Sequence, residues 1–269
     1  MLTIKVDRFP LPHHPYHNLR LRTNLEGPQW EGCQTIPNLI MESRLKYALT
    51  AHIMVYLDIL QMFWKNATLL EYEGRGKISI ESVVLNQRIL VTEDIIRIVL
   101  QLNDDNEVVM FTRVHINETL EQMGYNPANP LGAITKNGFI KPWQYLFTQM
   151  GACFSKNIIN HHEASYRFME PVRALILDTP YNFSYYLIKD IASNLWSGKP
   201  FLVYPRFLMR IITSQLGFGG VSAGFPRAEM RLQQNMNLNM LIPTGQNSGL
   251  MTELWLLFEM IHGEGMDLD

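Results

Sequence analysis

The sequence predicts a mainly α-helical, multi-helix globular domain with one small β-hairpin near residues 77–91. Three observations predict it. Apolar residues recur at three- and four-residue steps in successive segments between Glu42 and Leu216, the period of helices that bury one face. One β-branched stretch, KISIESVVL followed by RILV, departs from that period. Hydrophobic residues make up 47% of the 269 residues and charged residues 18%, which supplies an ordinary core and is too apolar for a disordered chain.

Residues 1–41 read as an irregular N-terminal arm, punctuated by Pro10, Pro12, Pro15, Pro28 and Pro37. From Glu42 the apolar positions Leu45, Leu49, Ile53, Tyr56, Ile59, Leu60 and Phe63 predict one long amphipathic helix, which Gly74 and Gly76 end. The hairpin follows, with Asn86-Gln87 between its strands. That turn signal is weaker than Asn-Gly, so the register stays open. Thr92 is suited to capping the next helix, with Glu93 and Asp94 in the first turn, where the dipole favours acids, and Ile95, Ile96, Val99 and Leu100 on the buried face. Asn103 to Asn106 form a polar turn. INETLEQMGY is a short helix closed by Gly124, and Pro127 and Pro130 mark a loop. Helices are expected over Trp143–Phe154 and over Glu163–Leu177, where Pro171 kinks or splits the second. Ser184 is the expected cap of a helix that runs to about Trp196, before the turn Gly198-Lys199-Pro200.

FLVYPRFL, residues 201–208, is read as the entry to a further helix. Pro205 fits the first helical position, where no N–H is needed. Phe207, Leu208, Ile211, Ile212 and Leu216 keep helical spacing, and Phe201, Tyr204 and Phe207 wedge the entry into the core. Arg206 is placed off that stripe and free for another task. Residues 221–269 read as a Gly- and Met-rich linker and a short apolar C-terminal helix, LMTELWLLFEMIHG, which needs the body or a partner to cover it.

The totals exclude some functions. Lys and Arg number 23 against 25 Asp and Glu, a net charge of −2, so no global positive field draws the chain to nucleic acid or to an anionic membrane. The candidate local patch for nucleic acid is Lys199, Arg206 and Arg210 around Tyr204, a stackable ring among cations. The two cysteines, Cys33 and Cys153, are too few for a disulfide framework. They are expected as reduced thiols in a cytoplasmic or nuclear protein, not a secreted one. The N-terminal residues carry no apolar signal-peptide core, and no apolar run approaches the roughly 18 residues of a membrane span.

Candidate chemical clusters are weighed against plainer readings. His13, His14 and His17 have irregular spacing around a stiff proline and read as a solvated arm, not a metal site. His161 and His162 point about 100° apart if helical, so they cannot easily share an ion. Cys153 lies between apolar helix residues with no base adjacent in sequence, and reads as a buried structural thiol. Asp104, Asp105 and Glu107 fall in one polar turn, whereas metal-dependent cleavage needs carboxylates converging from distinct elements, so they read as solvated. No GxSxG, phosphate-binding glycine loop or cofactor motif is seen, and no catalytic role, cofactor or small-molecule substrate is assigned.

The order of short motifs is the most specific signal. It runs Ala48-Leu49-Thr50, Tyr56, Gln61-Met62-Phe63-Trp64; then the hairpin and Val91-Thr92-Glu93-Asp94-Ile95-Ile96-Arg97; then Met123-Gly124-Tyr125. It continues with Trp143, Tyr145, Leu146, Cys153 and Ser155, then Tyr181-Asn182-Phe183-Ser184, then Phe201 to Leu208. In this order the chain resembles, over roughly residues 45–220, the plant transposon protein domain encoded by retrotransposons and common in daisy-family plants. Val203 stands where the family has Met. Ala51-His52 stand where the family often has Asn-Pro, so the first helix is expected to run on. The tail lacks a basic ending, as a degenerate or isolated copy would. The resemblance implies a retroelement origin and no particular chemistry. It marks Trp64, Thr92, Trp143, Cys153, Asn182 and Pro205 as family motif positions with structural roles. The function expected is non-catalytic: an interaction or assembly domain with a protein partner or with itself. The alternatives are an accessory domain on element RNA or DNA and, third, a remote nuclease.

Overall fold

The computed structural model describes residues 18, 20–21, 32–71, 77–104, 110–125, 134–154, 163–197, 202–217 and 231–232. Among these, helix dominates and the largest sheet has three antiparallel strands, so the mainly α expectation holds. The chain divides into two compact units, each drawn from separated stretches. The first comprises Met1–Arg20, Tyr47–Val109 and Pro180–Gln234; the second comprises Leu21–Lys46, Met110–Thr179 and Asn235–Asp269.

The single long helix expected from Glu42 is not formed. Helix α1, Thr35–Glu42, opens inside the arm read as irregular. Its Pro37 sits in the first turn, where a missing N–H costs nothing, and so does not act as a breaker. Ser43 then ends α1. Its hydroxyl donates to the Ile40 carbonyl at 2.8 Å and accepts from the Leu45 N–H at 3.2 Å, which are bonds that compete with the helical ladder. A one-turn helix α2, Lys46–Thr50, follows. The chain is then non-helical to Met54, extends as β1, Val55–Tyr56, and re-enters helix as α3, Leu57–Asn66. Apolar periodicity survives across these breaks because Leu45, Leu49, Ile59, Leu60 and Phe63 are still buried, and so it could not reveal them.

In the first unit, α3 lies on a sheet of order β2–β3–β4, with β2 at Thr68–Glu71, β3 at Ile78–Val84 and β4 at Gln87–Thr92. The third strand, β2, occupies the end of the segment read as helix. Ile80, Ser82 and Val84 share one face by the two-residue period of a strand, and all are buried. The Ser82 hydroxyl donates to the Phe63 carbonyl of α3 at 2.7 Å. The hairpin turn is Leu85-Asn86, one residue earlier than expected, since Gln87 already pairs with Val84. Both turn residues have positive φ, 50° and 61°, the geometry that matches the twist of a two-residue hairpin. Helix α4, Glu93–Leu100, starts where β4 ends. Thr92 caps it as expected, accepting from the Ile95 N–H at 3.2 Å. Ile96 and Leu100 are buried there, and Ile95 and Val99 half-buried. The unit is completed by α8, Phe183–Trp196, and α9, Pro205–Gln215, both packed on α4. A short strand β7, Arg231–Leu232, pairs with β1.

The outer edge of β4 is closed by a side chain. Gln215 at the end of α9 accepts from the Leu90 N–H at 2.9 Å and donates to the Leu90 carbonyl at 2.8 Å. Its amide thus makes the two bonds that a neighbouring strand would make, which blunts an edge otherwise open to pairing.

In the second unit, α7, Tyr166–Leu177, packs against α1, α5, Arg113–Gln122, and α6, Lys141–Phe154. Helix α7 runs unbroken through Pro171, so the expected split is absent. Proline removes one backbone bond, and burial of its ring with Phe168, Val172 and Leu175 holds the rest. A strand pair joins β5, Ile134–Thr135, to β6, Glu163–Ala164. The core carries a chain of rings, Tyr125, Phe139, Phe147 and Phe168, with centroids 4.7, 5.6 and 5.4 Å apart. Met123-Gly124-Tyr125 builds one end of it. Gly124, φ 66°, turns the chain out of α5, and the Tyr125 hydroxyl accepts from the Thr135 N–H at 2.8 Å. Gly138 leaves room for that ring, because a Cβ there would overlap it.

Leucine at a left-handed turn position carries strain that asparagine does not. Leu85→Asn is therefore expected to raise stability by about 0.5–1 kcal/mol, seen as a higher urea midpoint with an unchanged slope.

Candidate functional site

The nucleic-acid patch expected at the entry to α9 does not stand in solvent. Pro205 occupies the first helical position as expected, but the entry turn is buried all round: Pro205, Arg206, Phe207, Leu208 and Met209 are consecutive buried residues. Arg206 is 2% exposed. Its Nε donates to the Asn18 carbonyl at 3.1 Å and its Nη1 to the Ala51 carbonyl at 3.0 Å. The reading of Arg206 as pointing away from the buried stripe is thereby corrected. A helical wheel assumes one solvated face, and this turn has none. Asn18 also accepts from the Phe207 N–H through its side chain at 3.0 Å. A residue 189 positions away thus satisfies one of the orphan donors of the helix start.

Tyr204 is also buried, at 0% exposure, in the left-handed conformation with φ 48°. Its hydroxyl donates to Asp190 Oδ2 at 2.9 Å, and its ring lies 5.7 Å from that of Phe207. It cannot stack on a base there, which corrects its place in the patch. Its packing with Phe207 matches the expected structural knuckle. Phe201 and Lys199 lie outside the described residues. Among the described patch residues, Arg210 alone remains partly open. It is half-buried, with its guanidinium carbon 5.6 Å from the centroid of the Tyr47 ring.

The described polar groups converge elsewhere, between the start of α4 and the start of α8. Asp104 is fully buried, where the sequence suggested a solvated turn. Its Oδ1 accepts from Arg97 Nε at 2.9 Å and its Oδ2 from the Ser184 N–H at 2.6 Å. The Ser184 hydroxyl donates to the same carboxylate at 2.8 Å. Arg97 also donates to Glu93 Oε1 and to Asp94 Oδ1, each at 2.7 Å. Asn182 Nδ2 donates to Glu93 Oε1 at 2.6 Å, and its Oδ1 accepts from the Tyr185 N–H at 2.8 Å. Asn182, not Ser184, is therefore the cap of α8. Ser184 lies one residue inside the helix, where its N–H is an orphan donor and a carboxylate complements the dipole. Burial works against the charge on Arg97, but Asp104 and Glu93 outweigh it and hold the guanidinium above its ordinary value. This cluster holds three carboxylates and one guanidinium, locked by hydrogen bonds to one another and to helix ends. It is built to join elements.

The positions that the resemblance marks are placed as follows. Trp64 is fully buried, with its ring edge-on to Phe63 at 5.7 Å. Trp143 is half-buried on α6, and Cys153 on the same helix is 1% exposed. Cys33 is likewise buried, and burial pushes its thiol up, opposed by Lys141. His13, His14, His17, Asp105, Glu107, Ser155, His161 and His162 lie outside the described residues, as does the expected C-terminal helix. Among the described residues no group of three or more His, Cys, Asp or Glu could hold a metal ion, and no helix is long and apolar enough to cross a membrane. No protein-family model, curated protein or solved structure matches the chain.

Two substitutions separate structural from binding roles. Arg206→Ala strands the Asn18 and Ala51 carbonyls and is expected to cost about 2–3 kcal/mol of stability, with no change in the strength or salt dependence of any RNA binding measured by anisotropy. Asp104→Ala leaves Arg97 without its buried partner and the start of α8 without its acceptor. It is expected to cost about 3–5 kcal/mol, read by urea unfolding.

Proposed function

We propose that the chain is a non-catalytic interaction domain of plant retrotransposon origin that binds protein or assembles with itself. The order of motifs from Ala48 to Leu208 supports the origin. The observation that carries the interaction reading is an apolar pair at the start of α5. Met110, just before the helix, and Val114, in its first turn, are 68% and 64% exposed, with half-buried Phe111 between them in sequence. Single exposed apolar residues need no explanation, but two within five positions of sequence offer apolar surface that gains from being covered. Helix α5 offers that face readily, because only Ile116, Thr119 and Leu120 of its ten residues are buried. Cys33 and Cys153 are buried and neither forms a disulfide, which supports a reducing, intracellular setting. The nucleic-acid reading loses Tyr204 and Arg206 from its four patch residues, which leaves the protein-binding reading in front.

Sedimentation velocity on the full chain over a range of concentrations tests this. Association that rises with concentration, and is lost in a Met110→Lys/Val114→Lys variant, is the expected result. A chain that stays monomeric throughout and crosslinks to no protein partner in plant extract would count against the proposal.

A further inference from the structure

Helix α5 carries its charges against its own dipole. Arg113 is its first residue and Glu121 its next to last, with no acid in the first turn and no base in the last. Anions are favoured at the N–H end of a helix and cations at the carbonyl end, so this order destabilises the helix taken alone. Ion pairing does not relieve it: Arg113, Glu118 and Glu121 are exposed, and none enters an ion pair among the described residues.

The charges are also arranged in space. Ile116, Thr119 and Leu120 form the buried side of α5. Arg113, Asn117 and Glu121 follow one another at four-residue steps and make one exposed ridge, with Val114 and Glu118 beside it. Tyr166 of α7 holds two members of that ridge. Its ring centroid is 5.0 Å from the Arg113 guanidinium carbon, and its hydroxyl donates to Asn117 Oδ1 at 3.3 Å. Side chains already held lose less freedom when a partner arrives.

A second copy running antiparallel removes the conflict. With the two Asn117 residues at the two-fold axis, Arg113 of each copy meets Glu121 of the other, and Glu118 lies one turn from that contact. Each Arg113 then stands at the carbonyl end of the other helix and each Glu121 at its N–H end, where the dipoles favour them. Val114, in the first turn, comes against the other copy's last turn and is drawn out of water. A parallel pair would instead set Arg113 against Arg113. We propose that the exposed face of α5 is a self-association surface that pairs antiparallel with a second copy of this chain. The proposal rests on the interaction reading above and names the partner. Ten residues rising 1.5 Å each span about 15 Å, less than a permanent dimer uses, so the pairing is reversible and weakens with salt.

Sedimentation velocity on the full chain and three variants, at low and high salt, tests this. Arg113→Glu alone and Glu121→Arg alone each set like charges against each other and are expected to weaken association at least about tenfold. Mixing the two variants restores both contacts of the pair, Glu against Arg on each side, and is expected to recover association. The double variant Arg113→Glu/Glu121→Arg is expected to recover it as well. These positions are exposed, and circular dichroism on each variant checks that it folds. Recovery in the mixture and in the double variant shows that a single variant failed by charge and not by unfolding. Single variants that associate like the unaltered chain, a mixture that does not recover, or association indifferent to salt would each overturn the pairing. If any of these occurs while the chain still associates through Met110 and Val114, or captures another protein, the pairing fails and the interaction reading stands. A chain that stays monomeric and crosslinks to no partner overturns both.

Discussion

The first unit depends on one buried carboxylate. Asp104 closes the stretch after α4 and lies against the first turn of α8, where a negative charge is favoured and backbone donors lack partners. Every donor of that turn has an acceptor. The Phe183 N–H bonds the Tyr181 carbonyl, the Ser184 N–H bonds Asp104, and the Tyr185 N–H bonds Asn182. Without Asp104, Arg97 would be a poorly solvated cation beneath the helix pair and Ser184 an unsatisfied donor. Burying an ion pair is not stabilising in itself, and a hydrocarbon of the same shape could match it. What the carboxylate supplies is direction, since it fixes which end of α8 meets which end of α4.

Local physics was legible in the sequence, and long-range polar pairing was not. The Thr92 cap, the exit of α5 at Gly124 and the entry of α9 at Pro205 each depend on neighbours within a few residues, and each was read correctly. Asp104 and Ser184 are 80 positions apart, Leu90 and Gln215 are 125, and Asn18 and Arg206 are 188. No periodicity or spacing rule connects residues at such distances. The breaks in the helix expected from Glu42 were hidden for a related reason. Ser43 ends α1 by bonds of its own hydroxyl, and the Ala51 carbonyl faces Arg206 across the fold instead of an N–H four residues on.

The entry to α9 shows how a chain holds an unfavourable backbone. Tyr204 occupies left-handed space that costs a bulky residue on the order of 1–2 kcal/mol. The neighbours over-determine it: the hydroxyl is tied to Asp190, the ring is packed with Phe207, and the following proline has its φ set for helix. The run FLVYPRFL has Tyr204, Phe207 and its arginine together because these two rings fill the core around the turn while the guanidinium donates to the Asn18 and Ala51 carbonyls.

Three arginines in this unit show what burial does to one side chain. Arg97 meets carboxylates, and its charge is neutralised where it lies. Arg206 donates to carbonyls and acts as a crosslink between chain segments. Arg210 is set against a ring at the edge of an apolar cleft, and its Nε–H has no acceptor among the described residues. The first two have had their donors taken up by the fold, so a partner gains little by approaching them. Arg210 is the third case, a guanidinium held by a ring face, whose shielded Nε–H costs stability that the ring contact offsets only in part.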